Sequence, residues 1–135
     1  MSLAERFGRR FRWLRLLRAS LFAGALYDLG FAVLMVLAPG FLARVLRLPL
    51  PGPRFYLWLI AVLLAMVASL YLAAAHDPRR YSAVIAVAIA GRTAGAAALA
   101  LAAWRDPGLS GLWGPAAGEL AFAVAHGLFW WPLRA

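Results

Sequence analysis

The stretch YSAVIAVAIAGRTAGAAALALAAW, residues 81–104, is a run of small and apolar residues broken at its middle by a charge, Arg92. It is long enough for a helix that crosses a bilayer, which takes about 20 residues. A guanidinium eleven residues from one end and twelve from the other would sit near the bilayer centre, where a charge is costly unless it is partnered. The sequence offers two acids in comparable positions. Asp28 is the tenth of twenty residues in the apolar run 19–38, and Glu119 lies near the centre of the run 109–131. With a rise of about 1.5 Å per residue, all three groups fall within a turn of mid-bilayer depth. Arg92 is therefore expected to bridge Asp28 and Glu119, fixing the register of three helices. Two carboxylates against one guanidinium leave a formal charge of −1, so one acid must meet a proton, a second cation or water.

The rest of the composition agrees with this reading. Of the 135 residues 65% are apolar, and the mean hydropathy is +0.80. Soluble domains are only about half apolar. The expected fold class is all-α, an integral membrane four-helix bundle with a basic interfacial helix in front of it. Residues 1–18 would form that helix, and residues 19–135 a bundle with spans at about 19–38, 55–75, 81–104 and 109–131. All 14 basic residues are Arg, giving a formal charge of +9. They gather mostly at the ends of apolar runs, which points to anionic lipid headgroups rather than nucleic acid as the counter-charge. There is no Cys, which excludes disulfides, thiol catalysis and Cys-ligated metal.

Six arginines, Arg6, Arg9, Arg10, Arg12, Arg15 and Arg18, alternate with Leu3, Phe7, Phe11, Leu14 and Leu17, the pattern of an interfacial helix meeting lipid headgroups. Pro39-Gly40 is a helix stop. The Leu-Pro-Leu-Pro-Gly-Pro stretch at residues 48–53 cannot continue a helix, although residues 41–48 before it can form a short one. His76-Asp77-Pro78-Arg79-Arg80 and Arg105-Asp106-Pro107-Gly108 read as tight turns. Gly91 and Gly95 form one G-x-x-x-G and Gly114 and Gly118 another, the spacing that lets helices approach closely, within the chain or with a second copy. With the N-terminus inside, nine arginines face the cytoplasm and four the other side. The chain is therefore expected in the cytoplasmic (inner) membrane, multi-pass, with both termini cytoplasmic. Asp28-Leu29-Gly30-Phe31-Ala32-Val33 resembles Glu119-Leu120-Ala121-Phe122-Ala123-Val124 in a helix of opposite direction. That similarity fits an inverted repeat or the common vocabulary of membrane helices.

Beside the central acids stand Tyr27, next to Asp28, and His126, two turns beyond Glu119 on the same face. The pair suggests a ligand or proton site, with His126 expected near the interface. No metal site and no cofactor is expected: no His-x-x-His or Glu-x-x-His pair occurs, and His76 and His126 are poorly placed to share a haem. No serine has an adjacent His, and the Gly-rich pieces lack the Lys and strand context of phosphate loops.

In length, four spans and mid-membrane polar residues the chain resembles the small bacterial four-helix membrane proteins of the DoxX-like type. It is also similar in plan to the small multidrug-resistance transporters, whose first span carries a central carboxylate in the place of Asp28. Arg92 and Glu119 set it apart from the latter. The likeness is architectural, and no family site is carried over. The expected role is non-enzymatic: a subunit or binding component of a membrane complex or homo-oligomer, with a buried Asp-Arg-Glu centre. The alternative is a proton- or cation-coupled small-molecule transporter acting as a dimer.

Overall fold

The computed structural model describes residues 3–50 and 52–134, with the backbone alone described at residues 3, 4, 6 and 7. Among the described residues every regular element is helical. Five α-helices follow one another: α1 (Leu3–Leu37), α2 (Pro39–Leu46), α3 (Arg54–His76), α4 (Ser82–Arg105) and α5 (Trp113–Trp130), with a short 3-10 helix at Pro107–Leu112 and another at Trp131–Leu133. Three of them, α1, α3 and α4, are long and apolar enough to cross a membrane.

The expected boundary at residue 18 is absent, because α1 runs unbroken for 35 residues. Leu, Arg and Ala are good helix formers, and neither proline nor a cap signal interrupts residues 9–19. The change at residue 18 is thus one of polarity alone. At about 52 Å the helix exceeds the roughly 30 Å of a bilayer core. Pro39 ends the helix and starts α2, occupying an early position where its missing N–H costs nothing. Arg47 caps α2 in the left-handed conformation, with φ at 52°. This cap lets Leu48 N–H reach back to the Ala43 carbonyl at 2.9 Å, satisfying a carbonyl the helix end would otherwise orphan.

The fourth expected span, 109–131, also starts differently. Residues 107–112 tighten into a 3-10 helix that Asp106 caps by accepting the Gly108 N–H at 2.8 Å. The α-helix proper has 18 residues, and it is lower in hydropathy than the three helices suited to crossing a membrane. Glycine, proline, glutamate and histidine dilute its apolar character. Gly111 sits directly against the Leu46 carbonyl at the end of α2, so the two short elements close one end of the molecule with no room for a side chain between them.

Helix α1 packs along α3, α4 along α5, and α1 also meets α5, whereas α3 and α4 touch sparingly. At the end holding the α1 N-terminus, the core is Leu17, Leu21, Ala74 and Ile85, covered by Phe129 and Trp130. Further along it is Ala25, Ala68, Tyr71 and Ala88. Half of these residues are alanines, and Ala32, Ala61, Ala96, Ala103, Ala116 and Ala123 are buried as well, so backbones approach closely. Many large apolar side chains point outward: Phe22, Leu26, Val33, Leu63 and Val87 are exposed.

Candidate functional site: a buried arginine between two carboxylates

Arg92, on the inner face of α4, is 3% exposed and lies where α1, α3 and α5 converge. Its fork is fully directed. Nη1 donates to both oxygens of Glu119 on α5, at 2.9 Å each. Nη2 donates to Asp28 Oδ2 on α1 at 2.8 Å and to the Gly24 carbonyl one turn earlier at 3.2 Å. Holding two acids on the two arms of one planar group is a property of guanidinium that an ammonium cannot reproduce. The Asp28 pair is sealed, with both side chains 3% exposed, while the Glu119 side chain is 18% exposed.

Three aromatic rings enclose the cation. Its carbon lies 4.8 Å from the Phe122 ring centre, 5.0 Å from Tyr71 and 5.7 Å from Tyr27. Where water is excluded, each such contact adds of order 1–2 kcal/mol. Tyr27 also packs on Phe31 and Phe122, with ring centres 4.9 and 5.3 Å apart. Gly118 makes room for it, since a Cβ there would come within 2.9 Å of the Tyr27 hydroxyl.

His126 is enclosed by the helices, its ring 0% exposed. It stands edge-on to Tyr71 with centres 5.9 Å apart. The Ser20 hydroxyl gives its one hydrogen to the Leu17 carbonyl at 2.9 Å, so its oxygen accepts from His126 Nδ1–H at 3.1 Å. In the neutral ring that leaves the lone pair on Nε2, which has no hydrogen-bond partner among the described residues, as is also true of Arg92 Nε. His126 makes no hydrogen bond to either carboxylate, so no direct relay from it to Glu119 is built into this geometry.

Asp28, Arg92, Glu119, Tyr27 and His126 thus gather at one place. The glycines divide. Gly95 faces Glu119, whose Oε2 would lie 3.9 Å from an added Cβ, and Gly118 faces Tyr27, but Gly91 and Gly114 meet open space. Of the basic residues of α1, Arg9, Arg10, Arg12, Arg15 and Arg18 are exposed, with Arg15 lying 6.0 Å from the Phe11 ring centre. Arg18 donates to the His76 carbonyl at 3.1 Å, capping the C-terminus of α3. The Arg6 side chain lies outside the described residues.

Sequence reasoning missed Gly24, Ser20, Tyr71 and Phe122. The first two share a stripe with Asp28 at positions 20, 24 and 28, and Phe122 lies between Glu119 and His126 on one face of α5, so helical spacing from the acids would have found them. Tyr71 carried no such signal.

Two cavities reach the acids. One of about 420 Å³ extends from Asp28, Tyr27 and Glu119 toward α2, with walls of Phe31, Met35 and Leu42 among others. A second of about 280 Å³ opens between α3 and α4 and also touches Asp28, Glu119 and Arg92. Leu64 lines both. Among the described residues no group of three or more His, Asp or Glu is placed to hold a metal ion. Comparison with protein-family models, curated proteins and solved structures returns no match for this chain.

Proposed function

We propose that the chain is a non-enzymatic integral membrane protein, a four-helix bundle of antiparallel spans α1, α3, α4 and α5 with both termini cytoplasmic. In this reading it is a small binding component of the membrane whose Asp28–Arg92–Glu119 centre both locks the helices and forms the floor of a ligand site. Helix α5 has 18 residues. It crosses despite its low hydropathy because its polar residues face Arg92 and a helix of that length spans roughly 27 Å at about 1.5 Å per residue. The observation that carries the ligand reading is the cavity of about 420 Å³, apolar along its walls and ending on two carboxylates that share one guanidinium. An apolar chamber with a few convergent polar groups is the usual form of a small-molecule site. The excess negative charge selects a lipophilic molecule with a cationic head.

A ligand that binds the folded state alone raises its stability by RT ln(1 + [L]/Kd), so thermal unfolding of the purified protein in detergent tests the idea. Dodecylamine, dodecanol and dodecanoate carry the same tail and differ in head charge. Dodecylamine should raise the midpoint, and dodecanol and dodecanoate much less. Leu64→Trp, which fills the cavity without touching an ion pair, should abolish the shift. Equal shifts from all three, or an unchanged response in Leu64→Trp, would refute the site.

A second reading, cation-coupled exchange by a dimer, draws support from the cavity between α3 and α4, which brings the same acids within reach from another side. It requires that dodecylamine release protons from the protein and that Glu119→Gln abolish the release.

A further inference from the structure

At the end of the molecule away from α2, a separate cavity of about 320 Å³ is lined by Arg10 of α1, Arg79 of the α3–α4 turn, Ser82 of α4, and Trp130 and Arg134 at and beyond the last turn of α5. Residues more than a hundred positions apart in the chain thus bring three guanidiniums to one hollow. Arg134 is held in place: its guanidinium carbon lies 3.8 Å from the Trp130 ring centre and 5.5 Å from that of Trp131. A guanidinium stacked on an aromatic ring keeps its in-plane N–H groups available for an anion. Neither Arg79 nor Arg134 forms an ion pair among the described residues. The nearby Asp77 carboxylate is engaged in the turn, accepting the Arg80 N–H at 3.2 Å. No side chain caps α4, whose first residue is Ser82, so the positive end of that helix adds to the field. Leu14 and Leu133 complete the wall on its apolar side.

We propose that this hollow is a binding site for a phosphate-bearing anion, and specifically for the headgroup of an anionic phospholipid, with Arg79 and Arg134 holding the phosphate. Arginine forks match phosphate oxygens in number and geometry. The choice of a lipid over free phosphate comes from the walls: Leu14, Leu133 and Trp130 would cover the glycerol and first methylenes of an amphiphile, and free phosphate has nothing to offer them. The headgroup assignment rests on the membrane reading above, but binding in detergent does not depend on the Asp28–Arg92–Glu119 cavity.

Native mass spectrometry of the full chain in detergent tests it, with phosphatidylglycerol, phosphatidylcholine and inorganic phosphate as probes. Phosphatidylglycerol should bind and the other two should not compete with it at equal concentration. A membrane-surface charge contributes of order 1 kcal/mol per Arg, so the double variant Arg79→Gln/Arg134→Gln should bind phosphatidylglycerol about tenfold or more weakly. Arg54→Gln/Arg105→Gln, which removes the same charge from the other end, should change it less than twofold. Glu119→Gln should leave lipid binding intact, which separates this site from the ligand cavity. Undiminished binding in Arg79→Gln/Arg134→Gln, an equal loss in the Arg54→Gln/Arg105→Gln control, or equally tight phosphatidylcholine would overturn the site. Displacement by inorganic phosphate would overturn the lipid assignment.

Discussion

Arg92 bonds three acceptor groups on two helices, and its neighbours differ in how far they depend on it. Removing the cation leaves two carboxylates facing each other in an apolar interior, whereas removing one acid leaves a balanced pair. Arg92→Leu should therefore cost about 3–5 kcal/mol, the usual effect of stranding a buried charge. Asp28→Asn, which keeps an acceptor oxygen for Nη2 and lifts the charge imbalance, should cost less than half as much. Thermal denaturation in detergent gives the order, and an Arg92→Leu protein as stable as wild type would contradict the pairing. This triad was readable from the chain because a charge in an apolar run must find an opposite charge at its own depth. The aromatic cage was not, since Tyr71 and Phe122 in an apolar segment look the same whether they face lipid or a cation.

At the scale of elements, the legible features were those dictated by backbone chemistry. Proline and glycine placed the turns at Pro39, residues 77–81 and Pro107 close to where they occur. What composition suggested less well was continuity. The basic segment reads as a separate helix because its polarity differs, yet nothing in its backbone breaks it from the apolar segment that follows. Likewise the 3-10 helix before α5 is shaped by a contact distant in sequence, the Leu46 carbonyl against Gly111. A methyl group there has nowhere to go, because the obstacle is backbone on both sides. Gly111→Ala should destabilise the fold by about 1–3 kcal/mol, as overpacking does. Gly114→Ala, which meets open space, should lie within about 1 kcal/mol of wild type. If the two substitutions prove equivalent by thermal unfolding, α2 does not close on the 3-10 helix.

For the molecule as a whole, charge is distributed by end. The α1 N-terminus, the α3–α4 turn and the α5 C-terminus share one end and carry most of the arginines, while Arg44, Arg47, Arg54 and Arg105 occupy the other. In the topology proposed above, the arginine-rich end is the cytoplasmic one, as the positive-inside rule requires. Because the chain has no cysteine, single replacements give clean reporters. In intact cells, Ser110→Cys in the 3-10 helix before α5 should react with a membrane-impermeant maleimide, and Ala83→Cys at the start of α4 only after permeabilisation. The reverse pattern would invert the topology. Both positions are exposed.

The bond between Arg92 and Asp28 joins residues 64 apart in the chain. During synthesis at roughly 5–20 residues per second, Asp28 emerges about 3–13 s before the guanidinium that neutralises it. For that interval the first helix carries Asp28 without its guanidinium. Glu119 follows Arg92 after only 27 residues. In order of synthesis, α1 and α4 can therefore be tied by this bond only once α4 has been made, and α5 is tied to the same guanidinium soon afterwards.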